Sequence, residues 1–170
     1  MHRVLIALGG NLPSWVGAPR TTCEAALAAL EEAGVRILAR SSWYTTAPVP
    51  ASDQPWYTNG VVLAETDWGP GALLELLHGV EAAFGRVREE KNGSRTLDLD
   101  LLAHDDQVRT AQNPLLPHPR LHERAFVMVP LAEIAPEWRH PVLNRTAAEI
   151  VAALPVEAGL QKLPQDPQGP

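Results

Sequence analysis

Two carboxylates stand at alternate positions in the run Ser94-Arg95-Thr96-Leu97-Asp98-Leu99-Asp100-Leu101-Leu102. Leu97, Leu99 and Leu101 alternate with them, and a period of two predicts a half-buried β-strand. Asp98 and Asp100 then share one face, about 6.6 Å apart at a rise of about 3.3 Å per residue. Asp is depleted in strand interiors and like charges on one face repel, so the pattern runs against local preference. A divalent cation removes the conflict. Oxygen ligands with no His or Cys beside them suit Mg²⁺, which takes one or two carboxylates together with waters and substrate phosphates. Taken alone, Asp-x-Asp more often marks a solvated strand face over a leucine core, and the surrounding residues decide between the two.

Arg86 and Arg88 precede the strand and Arg95 adjoins it, with Glu89, Glu90, Lys91 and Gly93 in the intervening loop. A guanidinium is a planar fork of donors matched to phosphate oxygens, so three beside a candidate metal site point to a polyphosphate. The plainer alternative is a set of surface salt bridges to Glu89 and Glu90, each of little energetic weight. Downstream, His118 is held between Pro117 and Pro119, and Arg124 falls near a helix start, where backbone N–H groups attract anions. Arg120 and His122 read as solvent-facing residues without a role. Thr46, Tyr57, Asn59 and Phe126 suggest a different kind of site. Aromatic faces stack on flat heterocycles, and an amide offers a donor and an acceptor to a ring edge. Tyr57 and Phe126 would serve equally as core residues, but Asn is out of place in a strand unless its amide is satisfied. The chain has no Walker A sequence, Gly-x-Ser-x-Gly elbow or Gly-x-Gly-x-x-Gly turn.

The elements that must position these residues follow from periodicity. Residues 4–8 read as a buried strand broken by Gly9-Gly10-Asn11-Leu12-Pro13. Residues 20–33 read as a helix starting at Thr21 or Thr22 and stopped by Gly34. Residues 35–46 and 57–66 read as strands joined by a proline-rich segment over 47–55. A helix beginning near Pro70 carries the stripe Leu73, Leu74, Leu77, Val80 and Phe84 and ends at Gly85. After the aspartate strand, helices are predicted over 122–134 and 146–154, then a frayed end. The order β-α-β-β-α-β predicts an α+β, ferredoxin-like fold: a mainly antiparallel four-stranded sheet with helices on one face.

The chain has 170 residues, 45% hydrophobic and 20% charged, which fits one globular domain over 1–160 and a flexible tail over 161–170. The net charge of −6, from 14 basic and 20 acidic residues, argues against a sequence-independent nucleic-acid binder. Cys23 is the one cysteine and reads as a buried, inert thiol. No apolar run is long enough to span a membrane, and a cytoplasmic location is expected.

Several segments taken together, Ala7-Leu8-Gly9-Gly10-Asn11-Leu12, Asp53-Gln54-Pro55-Trp56-Tyr57-Thr58-Asn59, Gly85-Arg86-Val87-Arg88, Arg95-Thr96-Leu97-Asp98-Leu99-Asp100, and Pro117-His118-Pro119 with Arg124-Ala125-Phe126, carry a resemblance. In this order, across about residues 4–142, the chain resembles the 6-hydroxymethyl-7,8-dihydropterin pyrophosphokinases of folate biosynthesis. The resemblance implies transfer of pyrophosphate from ATP to the hydroxymethyl group of a reduced pterin, leaving AMP. It implies that Asp98 and Asp100 hold two Mg²⁺ ions bridging the ATP phosphates, and that Arg86 and Arg95 act from a mobile loop during transfer. Glu81, Arg86, Arg88, Arg95, His118 and Arg124 fall at positions that contact ATP. Tyr57 and Phe126 correspond to the pterin sandwich, with Asn59, Thr46 and the backbone near Val49 on its edge. The same resemblance implies added helices and a three-layer α/β/α body. It also makes ATP and the pterin the partners; a monomer, with no nucleic acid or membrane, is expected.

Two departures accompany it. Gly10 stands where the family often has Ser, a change of small expected effect, and Asn92 stands where some members have Trp, in a loop one residue shorter. The alternatives are an Asp-x-Asp metal-dependent phosphohydrolase and a nucleotide- and pterin-binding protein without catalysis. The presence of both aspartates and both loop arginines argues against the latter.

Overall fold

The computed structural model describes residues 1–47, 53–86, 95–155 and 159–164. Strand β1 (His2–Gly10) lies inside the sheet, antiparallel to β4 (Tyr57–Thr66) on one side and β5 (Asp98–His104) on the other. Beyond β4 come β2 (Val35–Arg40) and β3 (Tyr44–Thr46), both antiparallel to it, and β6 (Gln161–Lys162) pairs with β3. Insertion of β4 between β1 and β2 is the split βαβ arrangement expected from the element order.

Helices cover both faces. On one, Val4, Ile6 and Leu8 of β1 pack with Leu27 and Leu30 of α1 (Pro19–Glu32) and Leu73 and Leu77 of α2 (Pro70–Ala83). On the other, Leu5 packs with Val127, Met128 and Leu131 of α3 (Ala125–Ile134) and Ile150 of α4 (Ala147–Ala153). A strand buried on both faces has no polar side, which is why residues 4–8 form an unbroken apolar run. The one-face arrangement expected from element order is therefore corrected: the second face is covered too, as the resemblance implied. Cys23 is buried in α1 and its thiol is pushed up to about 12, first by burial and then by the field of Asp98.

Other boundaries shift for identifiable reasons. Helix α1 starts at Pro19, whose missing N–H costs nothing in the first turn, while Thr22 is buried with its hydroxyl bonded to Ser14 at 2.7 Å. The helix expected over 122–134 starts only at Ala125. A 3₁₀ turn at Leu121–Glu123 comes first, and Arg124, with φ −109° and ψ 108°, is too extended to join the two. The chain beyond residue 160 is not all tail: besides β6, Leu163 N–H donates to Trp43 O at 2.8 Å and Arg20 reaches Pro164 O at 2.8 Å.

The strand expected over 35–46 is two strands. Arg40 pairs with Val62 and Tyr44 with Asn59, so four steps on one side oppose three on the other. One extra residue is a bulge, and a one-residue slip exchanges the faces. Ser41 holds the break, donating its N–H to Val61 O and accepting from Val61 N–H through its hydroxyl, each at 2.9 Å. An unbulged strand would put Tyr44 and Thr46 on the face of Arg40 and Val62. The bulge moves them to the opposite face, beside Asn59.

Candidate active site

The α3 face of the sheet opens into a cleft of about 490 Å³ at one end, within the usual range for small-molecule sites. Strand register dictates what faces it. Asp98 pairs with Gly9 and Asp100 with Ala7, and across β1 the same residues pair with Asn59 and Val61. Carboxylates therefore stand on one side of β1 and the Asn59 group on the other, about 10 Å apart across two strand spacings. The floor between them has only Gly9 and Ala7. A Cβ at Gly9 would lie 2.6 Å from Asn59 Oδ1 and 3.1 Å from Thr58 O, so the floor is low because no side chain fits.

Leu97, Leu99 and Leu101 are buried under the other face while Asp98 and Asp100 are only partly exposed, as the alternation predicted. Asp98, 28% exposed, is paired with Arg86 and, at 3.2 Å, with Arg95. Asp100 has its carboxyl raised to about 7, first by burial and then by the charge of Asp98, with Arg124 and Arg86 pulling the other way. Two oxygen ligands that resist simultaneous ionisation are a donor set that fits a hard divalent cation.

Glu81 lies behind this strand, 1% exposed on α2. Its Oε2 accepts from Leu99 N–H at 2.8 Å and from Arg86 at 2.8 Å. Strand β5 is an edge of the sheet, so Glu81 satisfies an N–H that no neighbouring strand can reach. Arg86 also donates to Leu97 O at 3.3 Å and is 11% exposed. The structure thus places Arg86 in a partly buried charge network with Glu81 and Asp98, and places Glu81 beneath the cleft, not on its lining. Arg88, Val49 and Asn92 lie outside the described residues.

Arg95 and Arg124 line the carboxylate side. Arg124, at the N-cap of α3, sits with its guanidinium carbon 5.6 Å from the centre of the Phe126 ring. His118 is half-buried and its imidazole is held below the usual range, first by burial and then by Arg124, against the pull of Asp98. Its backbone N–H bonds Leu102 O at 2.8 Å, which ties it to β5. Across the floor, Tyr57, Asn59, Thr46 and Phe126 line the cleft, and Asn59 Nδ2 donates to Thr46 Oγ1 at 2.7 Å. That bond satisfies the buried amide and turns its oxygen toward Gly9.

Three residues escaped the sequence reading. Arg120, read as having no role, lines the cleft with Glu123, its partner at 3.7 Å. Asn11, 2% exposed, donates to Pro55 O at 3.0 Å and accepts from Arg95 N–H at 2.9 Å, so one side chain joins the two sides of the site. Its position after Gly9-Gly10 was the available signal, since a polar residue there must satisfy loop backbone. Gly10 also differs from expectation: a Cβ there would meet Thr96 O at 2.6 Å, so its bareness sets a close approach of two backbones.

A split βαβ sheet bearing carboxylates and cations beside a flat, polar-edged recess defines an α+β protein built around a small-molecule cleft. The model of the family described as 7,8-dihydro-6-hydroxymethylpterin-pyrophosphokinase (HPPK) matches residues 5–136, and the chain belongs to that family. The 2-amino-4-hydroxy-6-hydroxymethyldihydropteridine pyrophosphokinase of Pseudomonas aeruginosa is 40% identical over 165 residues, covering 96% of this chain and 98% of its own. The protein of the same name from Synechocystis is 38% identical over 167 residues, covering 94% and 83%. Among solved structures, a Plasmodium falciparum HPPK-DHPS chain with pteroate superposes with a TM-score of 0.74 at 13% identity, over 89% of this chain and 44% of that one. That likeness supports the fold, and this chain spans less than half of the longer protein.

Proposed function

We propose that this protein transfers pyrophosphate from ATP to the hydroxymethyl oxygen of 6-hydroxymethyl-7,8-dihydropterin, giving the pterin diphosphate and AMP, in folate biosynthesis. The observation that carries the proposal is one cleft with carboxylates and arginines on one side of Gly9 and the Tyr57–Asn59–Thr46–Phe126 group on the other. Asp98 and Asp100 are the residues to hold Mg²⁺, two ions by family resemblance. Bound there, the metal neutralises phosphate charge and orients the transferred group. Arg95 and Arg124 add fixed positive charge beside the polyphosphate, and His118, kept neutral, adds hydrogen-bonding capacity without further charge.

Tyr57 and Phe126 offer faces to the pterin ring, while Asn59 and Thr46 offer its edge an acceptor and a hydroxyl. Positioning of two bound substrates accounts for much of the catalysis in phosphoryl-type transfers, where the protein does little covalent chemistry. Arg86 is held in reserve by Glu81 and Asp98, and exchange of Asp98 for substrate phosphate would bring it to the reacting groups. Arg88 and Val49 are assigned to ATP and pterin by resemblance alone. A cytoplasmic monomer acting on small molecules, without nucleic acid or membrane, completes the reading. Among the described residues no helix is long and apolar enough to cross a membrane.

Incubation with Mg-ATP and the pterin, followed by mass analysis, is the test. AMP and pterin diphosphate in equal amounts are expected. Phosphate release without the pterin would identify a hydrolase, and ligand-induced thermal stabilisation without AMP would identify a binding protein.

A further inference from the structure

At the far end of the sheet, about 20 Å from Asp98 along the six steps of β5, one nitrogen from each of His2 and His104 and one oxygen of Asp105 lie within 4.8 Å of one another. We propose that these three residues form a second metal site, separate from the cleft and selective for a zinc-class divalent ion.

His104 is prepared for such a role. It is wholly buried at the end of β5, and its Nε2 is 2.9 Å from Trp68 O. A carbonyl only accepts, so Nε2 carries the proton and Nδ1 keeps its lone pair. An imidazole fixed by donation to a backbone carbonyl, with its other nitrogen unprotonated, is the usual second-shell arrangement of a metal-bound histidine. The contact at Nδ1 is a long one, 3.3 Å from the Gln107 amide nitrogen, and a metal bond at Nδ1 would replace it.

Asp105 is equally fixed. Its backbone is left-handed, with φ 51°. Arg3 N–H donates to its Oδ1 at 2.8 Å, and its own N–H donates to Arg3 O at 2.7 Å. These bonds do not involve His2, so the carboxylate stays in place whatever the His2 ring does. Oδ2 meets His2 Nδ1 at 2.7 Å, and the two imidazole rings lie 4.6 Å apart.

A tetrahedral zinc site with metal–ligand bonds of about 2.0–2.1 Å needs ligand separations of about 3.3 Å. With His104 and Asp105 fixed, the adjustment to that spacing would fall to His2, which is 40% exposed at the strand start. Two imidazoles and a carboxylate suit Zn²⁺ and its neighbours and do not suit Mg²⁺, which separates this site chemically from Asp98 and Asp100. Solvent supplies the fourth ligand. The ion would clasp the first residue of β1 to the turn after β5.

The test is titration of the intact protein with Zn²⁺ at neutral pH in excess Mg²⁺, read by calorimetry and, with Co²⁺ as the probe, by visible absorption. One ion per chain is expected, with a tetrahedral Co²⁺ band and a raised melting temperature. His2→Ala and Asp105→Asn, both at partly exposed positions, should each weaken binding about tenfold or more and leave pyrophosphate transfer unchanged. His104→Gln, which risks the fold, is not needed. Absence of saturable Zn²⁺ uptake, or uptake of undiminished affinity in both variants, would overturn the proposal. The first outcome would leave His2 and Asp105 as a surface ion pair, and the second would place the ion elsewhere.

Discussion

Gly9→Ala adds one methyl group to the floor of the cleft. Its Cβ would lie 2.6 Å from Asn59 Oδ1, where ordinary contact begins near 3.4 Å. The carboxamide must therefore retreat by about 0.8 Å, because the other near atom, Thr58 O at 3.1 Å, belongs to the paired backbone and cannot. A shift of that size along the bond would stretch Asn59–Thr46 from 2.7 Å to about 3.5 Å, the outer limit of a hydrogen bond. A buried amide left unsatisfied costs about 1–3 kcal/mol, and an edge contact misplaced by the same amount costs the pterin similarly. At about 1.4 kcal/mol per tenfold, pterin affinity should fall between about 5-fold and 150-fold. Mg-ATP, on the far side of β1, should bind within about twofold of the parent.

The assay is equilibrium titration of each ligand separately, with a thermal melt to verify the fold. Gly10→Ala is the internal contrast. There the obstructing atom is Thr96 O, on the approach to Asp98, so the loss should fall on nucleotide binding and stability. A Gly9→Ala protein that folds and binds the pterin with parental affinity would refute both the geometry of the floor and the role of Asn59.

Asp100→Asn should abolish transfer at saturating Mg²⁺ and change the pH dependence of the metal-free protein. A raised carboxyl binds its proton more tightly in the folded state, so its contribution to stability is present at acid pH and is lost as pH rises toward about 7. Melting curves across that range should flatten in the variant, and unchanged curves would contradict the burial of Asp100. Phe126→Ala and Tyr57→Ala should raise the pterin KM well above any change in the ATP KM, each ring face being worth about 0.5–1.5 kcal/mol. Steady-state kinetics on both substrates decides the matter, and equal effects would count against the sandwich. Arg86→Ala leaves Glu81 buried without its cation and should cost about 3–5 kcal/mol of stability, measurable in urea. Arg95→Ala, at a more exposed position, should lose transfer with a much smaller stability change, and similar melts for the two would remove the distinction.

Much of this was legible in the sequence because two-residue and 3.6-residue periods are local properties. The bounds of β4 match the expected 57–66, and the alternation around Asp98 and Asp100 gave the facing of β5 directly. What was hidden depends on partners distant in the chain. Nothing local in the sequence marks Arg124 as extended, although it separates the 3₁₀ turn from α3. Glu81 lies on an apolar helix stripe that by pattern alone would exclude a charge; its reason is the edge N–H of Leu99. Asn11 is explained by Pro55 and Arg95, residues 44 and 84 positions away. Residue type revealed which groups could do chemistry, and register revealed which of them meet.

The bulge between β2 and β3 makes this site sensitive to the length of a segment that contributes nothing to the chemistry. Removing one residue from 41–43 would alter charge and hydropathy hardly at all. It would nevertheless restore regular alternation and present Thr46 to the α1–α2 face, leaving Asn59 without its partner. Removing two would preserve parity at the cost of a shorter connection. Natural length variation here should therefore come in even steps, so that parity becomes a constraint on how this region can diverge over and above the identity of its residues.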